Sequence, residues 1–229
     1  MRETTDTRVG MVVQARMGST RLPGKVLMPL GGTTLLGWIV TRLRELPRPL
    51  VVATSHQVQD DAIVRECERI DVACFRGSEH DVLDRYYQCA RAHRFAHVIR
   101  LTGDNPCPDI EALRQLVDLH LVSGADYSHN FGELPVGMGA EIFSFGALEV
   151  SWRDGRAAHH REHVNEFILE HPSRFRIAKL DVCPDHTWKQ LRLTIDTRED
   201  YQRIAGYLSD GVNEHIGREA LIQRCSSCA

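Results

Sequence analysis

No apolar run in this 229-residue chain approaches the ~18 residues needed to span a bilayer. The first eight residues, MRETTDTR, are polar and lack the apolar centre of a signal peptide. These absences predict a soluble, cytoplasmic protein with no membrane partner. The seven cysteines are odd in number, in a chain too long to depend on a disulfide scaffold, so reduced thiols are expected. A net charge of -3 provides no molecule-wide basic field, which argues against a nucleic acid polymer as ligand. Lysine is scarce, three against twenty-five arginines, so Lys25 is poorly explained as surface filler. Low complexity is absent too: 42% hydrophobic and 26% charged residues, with 17 Gly and 9 Pro, exclude a disordered or collagen-like chain.

The near-neutral total conceals an asymmetry. Residues 1–50 hold eight Arg/Lys against three acids, which leaves the other 179 residues eight charges negative. A local cation cluster of this kind suits a small anionic ligand.

Short β-rich runs alternate with helix-length amphipathic stretches through the first half. Strands are predicted at residues 9–15 (VGMVVQA), 50–54, 72–75 and 97–101, with helices at 33–46, 59–69 and 81–94 between them. This alternation predicts an α/β fold: a Rossmann-like, mostly parallel central sheet with helices on both faces. Beyond about residue 124 the rhythm changes. Strands are expected at 140–145, 175–182 and 191–195, and helices at 157–169 and from Asp196 to about residue 208. The tail, 211–229, is the least legible stretch. No repeat and no long linker divides the chain, so one domain over 1–229 is expected. Within it, a first part spans about 9–130 and a second about 131–205.

The densest motif is ARMGSTRLPGKVL, residues 15–27. Arg16, Arg21 and Lys25 follow the first strand directly, interleaved with Gly18 and Gly24. Glycines let backbone N–H groups approach an anion closely while the cations neutralise it. Ligands of open α/β sheets bind at the carboxyl ends of the strands, where this loop falls. It is neither a Walker A loop nor GxGxxG, since Val26 stands where a P-loop places Ser or Thr. Asp104, in the turn TGDNP after the fourth predicted strand, would project at the same edge, and a carboxylate there suits Mg2+.

These blocks resemble the cytidylyltransferases that activate sugar acids. The likeness is greatest to the spore-coat polysaccharide (SpsF-type) branch, with the acylneuraminate and 3-deoxy-manno-octulosonate enzymes more distant. It runs through ARMGSTRLPGK with VLMPLGG, then DDAIV, FRGSEHDVLDRYY, RLTGDNP, REHV and LRLTIDTRED, in the correct order over roughly residues 10–205. The resemblance implies a fold of the nucleotide-diphosphosugar transferase type. It also implies transfer of CMP from CTP to an acceptor with release of pyrophosphate, in the making of cell-surface polysaccharide or glycoconjugate precursors.

On that resemblance Lys25, Arg16 and Arg21 would act on the triphosphate, with Lys25 at the α-phosphate and Ser19 and the loop amides near Gly18 adding hydrogen bonds. Arg76, Gly77, Ser78 and Thr102 would border the nucleotide, and Gln14 and Ala15 would offer backbone groups to the cytosine edge. Asp196 would join Asp104 as second metal ligand, although read alone it is a plausible helix N-cap. Arg198 stands where the family usually has Pro, and Gly139 where it commonly has Asp. Glu141, Arg161, Glu162 and His163 match acceptor-side positions. Arg192, with Arg161, would suit an anionic acceptor such as an acidic sugar, a sugar or polyol phosphate, or a phosphonate. A homodimer is suggested by the resemblance alone.

Bland readings stand beside several of these. Arg76 could simply pair with an acid such as Glu79, while Asp81, Asp84 and Arg85 could cap and brace a helix. His159 and His163 have helical zinc spacing but no evident third ligand. The Cys225–Cys228 pair reads as incidental. Two other functions stand as alternatives, a glycosyltransferase on a related fold and a non-catalytic module. A glycosyltransferase would be expected to show Asp-x-Asp, which is missing, and a non-catalytic nucleotide-binding module to have lost Lys25, Asp104 or Asp196, which are present.

Overall fold

The computed structural model describes residues 8–182, 190–209 and 212–227. The polar opening segment and Cys228 therefore lie outside the described residues. A seven-stranded sheet forms the centre, in the order β5-β4-β1-β6-β8-β7-β9. Its strands are β1 (Val9–Gln14), β4 (Leu50–Ser55), β5 (Ala73–Gly77), β6 (His97–Thr102), β7 (Tyr127–His129), β8 (Glu141–Ser144) and β9 (Ile177–Lys179). Only β8 opposes its neighbours, so the sheet is mostly parallel, as the alternation predicted. A small antiparallel hairpin of β2 (Pro29–Leu30) and β3 (Thr33–Thr34) stands apart.

Burial on both faces explains why β1 is apolar throughout. Met11 and Val13 face a core with α1 (Leu35–Leu43), α2 (Asp61–Arg69), α4 (Ile110–Ser123), α8 (Arg198–Tyr207) and α9 (Arg218–Ser227). Val12 faces the opposite core, under α3 (Val82–His93), α5 (Phe145–Asp154) and α7 (Glu166–Glu170). Side-chain caps start several helices: Thr34 accepts from Gly37 N at 2.9 Å, Asp81 from Asp84 N at 2.8 Å and Asp109 from Ala112 N at 3.0 Å. Among the described residues no helix is long and apolar enough to cross a membrane.

The structure departs from the sequence reading chiefly in the second half. The stretch expected as one helix over 157–169 divides into α6 (Ala158–Glu162) and α7, because an extended His163 (φ -111°, ψ 102°) turns Val164 into the core. Residues 191–195 are no strand of the sheet. Their amides instead bond two separate loops, Leu193 N to Val136 O at 2.7 Å and Ile195 N to Asp104 O at 2.8 Å. Gly137 (φ +98°) permits that contact, since a Cβ there would lie 2.5 Å from the Leu193 carbonyl carbon. The tail contains α9, whose Leu221 and Cys225 are fully buried. Elements α4, β7 and α5 add to those read from the sequence.

Register aligns the carboxyl ends of the central strands. Gln14 lies opposite Ala53 on one side and Thr102 on the other. The loops after β1 and β6 consequently leave the sheet side by side.

Candidate active site

A cleft of about 570 Å³ opens at that edge, within the size range of small-molecule sites. Its wall is formed by the loop after β1, the turn after β6, the start of α3, the end of α6 and Asp196, two residues before α8.

The β1 loop is held from both ends. Ala15 N donates to Ala53 O at 3.1 Å, and Gly24, left-handed at φ 72°, returns its N–H to Met17 O at 2.9 Å. Midway, Met17 N donates to Asp60 Oδ1 at 2.7 Å. The Asp60 carboxylate is buried and also accepts from the amide and hydroxyl of Ser55. This staple runs from the end of β4 to the loop. Gly24 opens a short turn, Lys25–Leu27, that sends the Lys25 side chain into the cleft.

Lys25 Nζ is the hub. It donates to Asp104 Oδ2 at 2.9 Å, to Asp196 Oδ1 at 3.2 Å and to the Ile195 carbonyl at 2.6 Å. Thr102 donates to Asp104 Oδ1 at 2.6 Å. Arg21, mostly exposed, reaches Asp196 Oδ1 at 3.1 Å, and Arg192 reaches its Oδ2 at 2.5 Å. Asp196 is not the helix cap: Thr197 caps α8, accepting from Asp200 N at 3.2 Å. Arg198 then takes the first helical position, where Pro is also favoured, so the exchange leaves the turn unchanged.

Of the residues expected at a site, the cleft brings together Gln14, Ala15, Arg16, Ser19, Arg21, Lys25, Thr102, Asp104, Glu162, His163 and Asp196. Gly18 is adjacent, a Cβ on it lying 3.7 Å from Glu79 Oε1, itself a lining atom's residue. The backbone groups assigned to the cytosine edge are already used in part. The Gln14 carbonyl accepts from Gly103 N at 2.8 Å and the Ala15 amide is bonded to Ala53.

Other expected residues lie elsewhere. Arg76 points away from the cleft, pairing with Asp61 at 2.6 Å and donating to the Ser55 and Gln57 carbonyls. The acid it pairs with is Asp61, where the sequence suggested one such as Glu79. Gly77 packs on the Arg85 stem, and Ser78 accepts from Asp81 N through its hydroxyl. Arg161 donates to Trp152 O at 2.8 Å and faces Asp81 at 3.4 Å. Glu141 is buried, one oxygen held by Arg100 and the other by the Tyr127 hydroxyl, each at 2.5 Å. It lines a small neighbouring cavity of about 80 Å³ with Gly139 and Phe131. A Cβ on Gly139 would come within 3.1 Å of the Phe131 ring, so the missing side chain leaves room for that phenyl group.

Two arginines were not singled out for the site. Arg85, 1% exposed, enters the cleft wall from α3 and donates to Ser78 O at 2.8 Å. Burial lowers its pKa. Arg100 enters from β6. The Nε atoms of both are buried without a hydrogen-bond partner among the described residues, a costly arrangement for charged donors. Helical i,i+4 spacing disguised Arg85 as a brace, and only the period of two in HVIRLT could have placed Arg100. Conversely, Arg42 and Arg44, part of the N-terminal cation excess, serve the fold. Arg42 is buried and ties α1 to the carbonyls of Pro108, Glu214 and Ile216, while Arg44 binds those of Ile70 and Asp71.

Comparison with known proteins adds four findings. A family model described as "Cytidylyltransferase" matches residues 11–214. Spore coat polysaccharide biosynthesis protein SpsF of Bacillus subtilis is 38% identical over 219 residues, covering 92% of this chain and 91% of that protein. Among solved structures, a cytidylyltransferase from Leptospira borgpetersenii superposes with a TM-score of 0.91 at 33% identity, covering 97% of this chain and 95% of the other. CMP:2-keto-3-deoxy-manno-octonic acid synthetase complexed with CTP shares the fold alone, at TM-score 0.65 and 13% identity over 86% of this chain and 97% of that one.

Proposed function

The chain belongs to the cytidylyltransferase family, and from that premise we propose that it transfers CMP from CTP to an anionic acceptor, releasing pyrophosphate. The acceptor is an acidic sugar, a sugar or polyol phosphate, or a phosphonate. The observation that carries this reading is the convergence of Arg16, Arg21 and Lys25 on one cleft with the carboxylates of Asp104 and Asp196.

A nucleoside triphosphate brings about four negative charges, and its transfer chemistry rests mostly on positioning and neutralisation. Arg16 and Arg21 come from a loop whose backbone is pinned by Asp60 and Gly24, so they are available to the β- and γ-phosphates. Lys25 sits deepest in the loop and is the group suited to the α-phosphate. There it would exchange a carboxylate partner for a phosphoryl oxygen and stabilise the charge that develops on it. The acceptor oxygen forms its bond to the α-phosphorus as the bridging P–O bond breaks, with the electron pair leaving on pyrophosphate. Arg85 and Arg100, which line the cleft, add positive charge to its wall. Glu162 and His163 on the opposite wall belong to the acceptor side.

Asp104 and Asp196 also fit a divalent ion. Their oxygens come from two loops and share the Lys25 ammonium, with Arg21 and Arg192 also on Asp196, and an all-oxygen donor pair suits Mg2+. Bound there, magnesium would supply charge neutralisation and orientation to the phosphates.

Thermal stabilisation by CTP, UTP, ATP and GTP, each with and without magnesium, tests the donor. A ligand at a hundred times its dissociation constant adds about 2.7 kcal/mol, roughly 5–10 °C for a chain this size. A rise confined to CTP with magnesium is expected, followed by pyrophosphate release in the presence of the right acceptor. A response to UTP or to a nucleotide sugar instead would overturn the reading in favour of a glycosyltransferase, and a flat panel with no turnover in favour of a binding module.

A further inference from the structure

The start of α6 carries a cluster that the transfer reaction does not use. His159 and His160 are consecutive, and neighbouring residues on a helix ordinarily point about 100° apart. Here both imidazoles turn to the same carboxylate at the end of α7. His159 Nε2 lies 2.7 Å from Glu170 Oε1, and His160 Nε2 lies 2.7 Å from Glu170 Oε2. The two rings meet edge to face with centroids 4.2 Å apart. Two imidazole nitrogens and a carboxylate oxygen thus lie within 4.8 Å of one another. His160 is buried against Phe167, whereas the His159 and Glu170 side chains are about half exposed, at 50% and 42%. The cluster is anchored on its inner side and open to water on its outer side.

We propose that His159, His160 and Glu170 bind a divalent transition metal of the zinc class, clamping α6 to α7. Two imidazoles and one carboxylate are a donor set that zinc takes with water in the fourth position. Tetrahedral zinc, with bonds of about 2.0–2.1 Å, needs ligand atoms about 3.4 Å apart. The two 2.7 Å contacts would therefore open by about 0.7 Å. Both Nε2–H groups now donate to Glu170. On binding, that proton moves to Nδ1 of the same ring, so each imidazole stays neutral and its Nε2 lone pair is free for the metal. For His160 this costs the long hydrogen bond, 3.3 Å, that Nδ1 accepts from Ala157 N. Helix α6 has only five residues, and its last residue Glu162, with His163 beyond it, lines the cleft. A metal at its start would stiffen that wall of the cleft from outside.

The site is distinct from the Asp104–Asp196 pair, and its test does not depend on CMP transfer. Protein stripped with a chelator is titrated with Zn2+ by calorimetry and with Co2+ by visible absorption, magnesium being present in excess to occupy all-oxygen sites. The expected result is one equivalent bound, a tetrahedral cobalt spectrum without a thiolate charge-transfer band, and a rise in melting temperature with Zn2+. His159→Gln and Glu170→Gln replace the exposed ligands and keep the fold. Each should weaken binding by about tenfold or more, at least what even an outer partner of a metal ligand is worth. Absence of saturable binding overturns the proposal. So does binding that both variants leave unchanged, or a thiolate band, which would place the metal on cysteine.

Discussion

Lys25 holds more polar contacts than its exposed neighbours Arg16 and Arg21, and that difference separates what each substitution should do. Its ammonium stands between two carboxylates and a carbonyl with 10% of its side chain exposed. Lys25→Ala removes a preorganised cation from the proposed α-phosphate site, which is worth several kcal/mol in transition states of this kind. It also leaves Asp104 and Asp196 facing each other without their shared counter-charge. Pyrophosphate release should fall by about a hundredfold or more, with circular dichroism unchanged. Near-normal turnover would remove Lys25 from the chemistry. The residues most legible in the sequence are of this type: Lys25, Asp104 and Asp196 each sit in a short loop immediately after an extended segment, where position along the chain nearly fixes position in space. Arg76 shows the limit of that logic. It also ends a strand, but alternation along β5 turns its guanidinium to Asp61, and a single residue of register decides which side it faces.

At the scale of elements, the loop after β1 depends on a residue that the sequence offered only as part of a family block. Asp60 carries no ion pair among the described residues and accepts from three neutral donors on two elements. Asp60→Asn keeps the shape but turns an amide donor toward one of those donors. An unsatisfied buried group costs about 1–3 kcal/mol, which for a chain of this size lowers the melting temperature by roughly 3–10 °C. Because Met17 N would lose its anchor, the Michaelis constant for the nucleotide should rise more than kcat falls. An unchanged constant would mean that Gly24 and the cations shape the loop unaided. The first-half elements were legible because local periodicity and tertiary burial agree there: β1 is apolar on both faces, β4 and β6 bury apolar residues in both cores, and Asp81 both caps α3 and ends a polar turn. In the second half they conflict. Val164 interrupts a helical pattern because the core claims it, and residues 191–195 look like a strand but satisfy their amides on two loops. Neither competition can be read without knowing what lies across the gap.

For the molecule as a whole, the acid limb of stability follows from a buried chain of polar groups linking β6, α4 and β7. His97 Nδ1 meets His120 Nε2 at 2.9 Å, and His120 Nδ1 meets the Ser128 hydroxyl at 2.8 Å. His120 is 1% exposed. Burial, with His97 beside it, pushes its pKa down from 6.5 to about 4, and burial lowers that of His97 as well. A histidine whose pKa is lower folded than unfolded binds more protons when unfolded. Its stabilisation is therefore whole above pH 6.5 and drains away as pH falls toward 4. At 1.36 kcal/mol per unit, His120 alone accounts for about 3 kcal/mol across that window. A second loss follows below it, where carboxylates held down by partners are protonated: Glu66 beside Arg69 and Thr34, and Glu170 beside His160 and His159. Urea denaturation from pH 8 to pH 4.5 should show the first decline in isolation. His120→Gln, whose amide can still bond His97 and Ser128, should be less stable than the parent at pH 8 and decline less steeply between pH 6.5 and 4.5, keeping only the contributions of His93, His97 and His129, whose pKa values burial also lowers. If the variant declines as steeply as the parent, the protons are taken up elsewhere and the buried histidine pair does not set the acid limit of this fold.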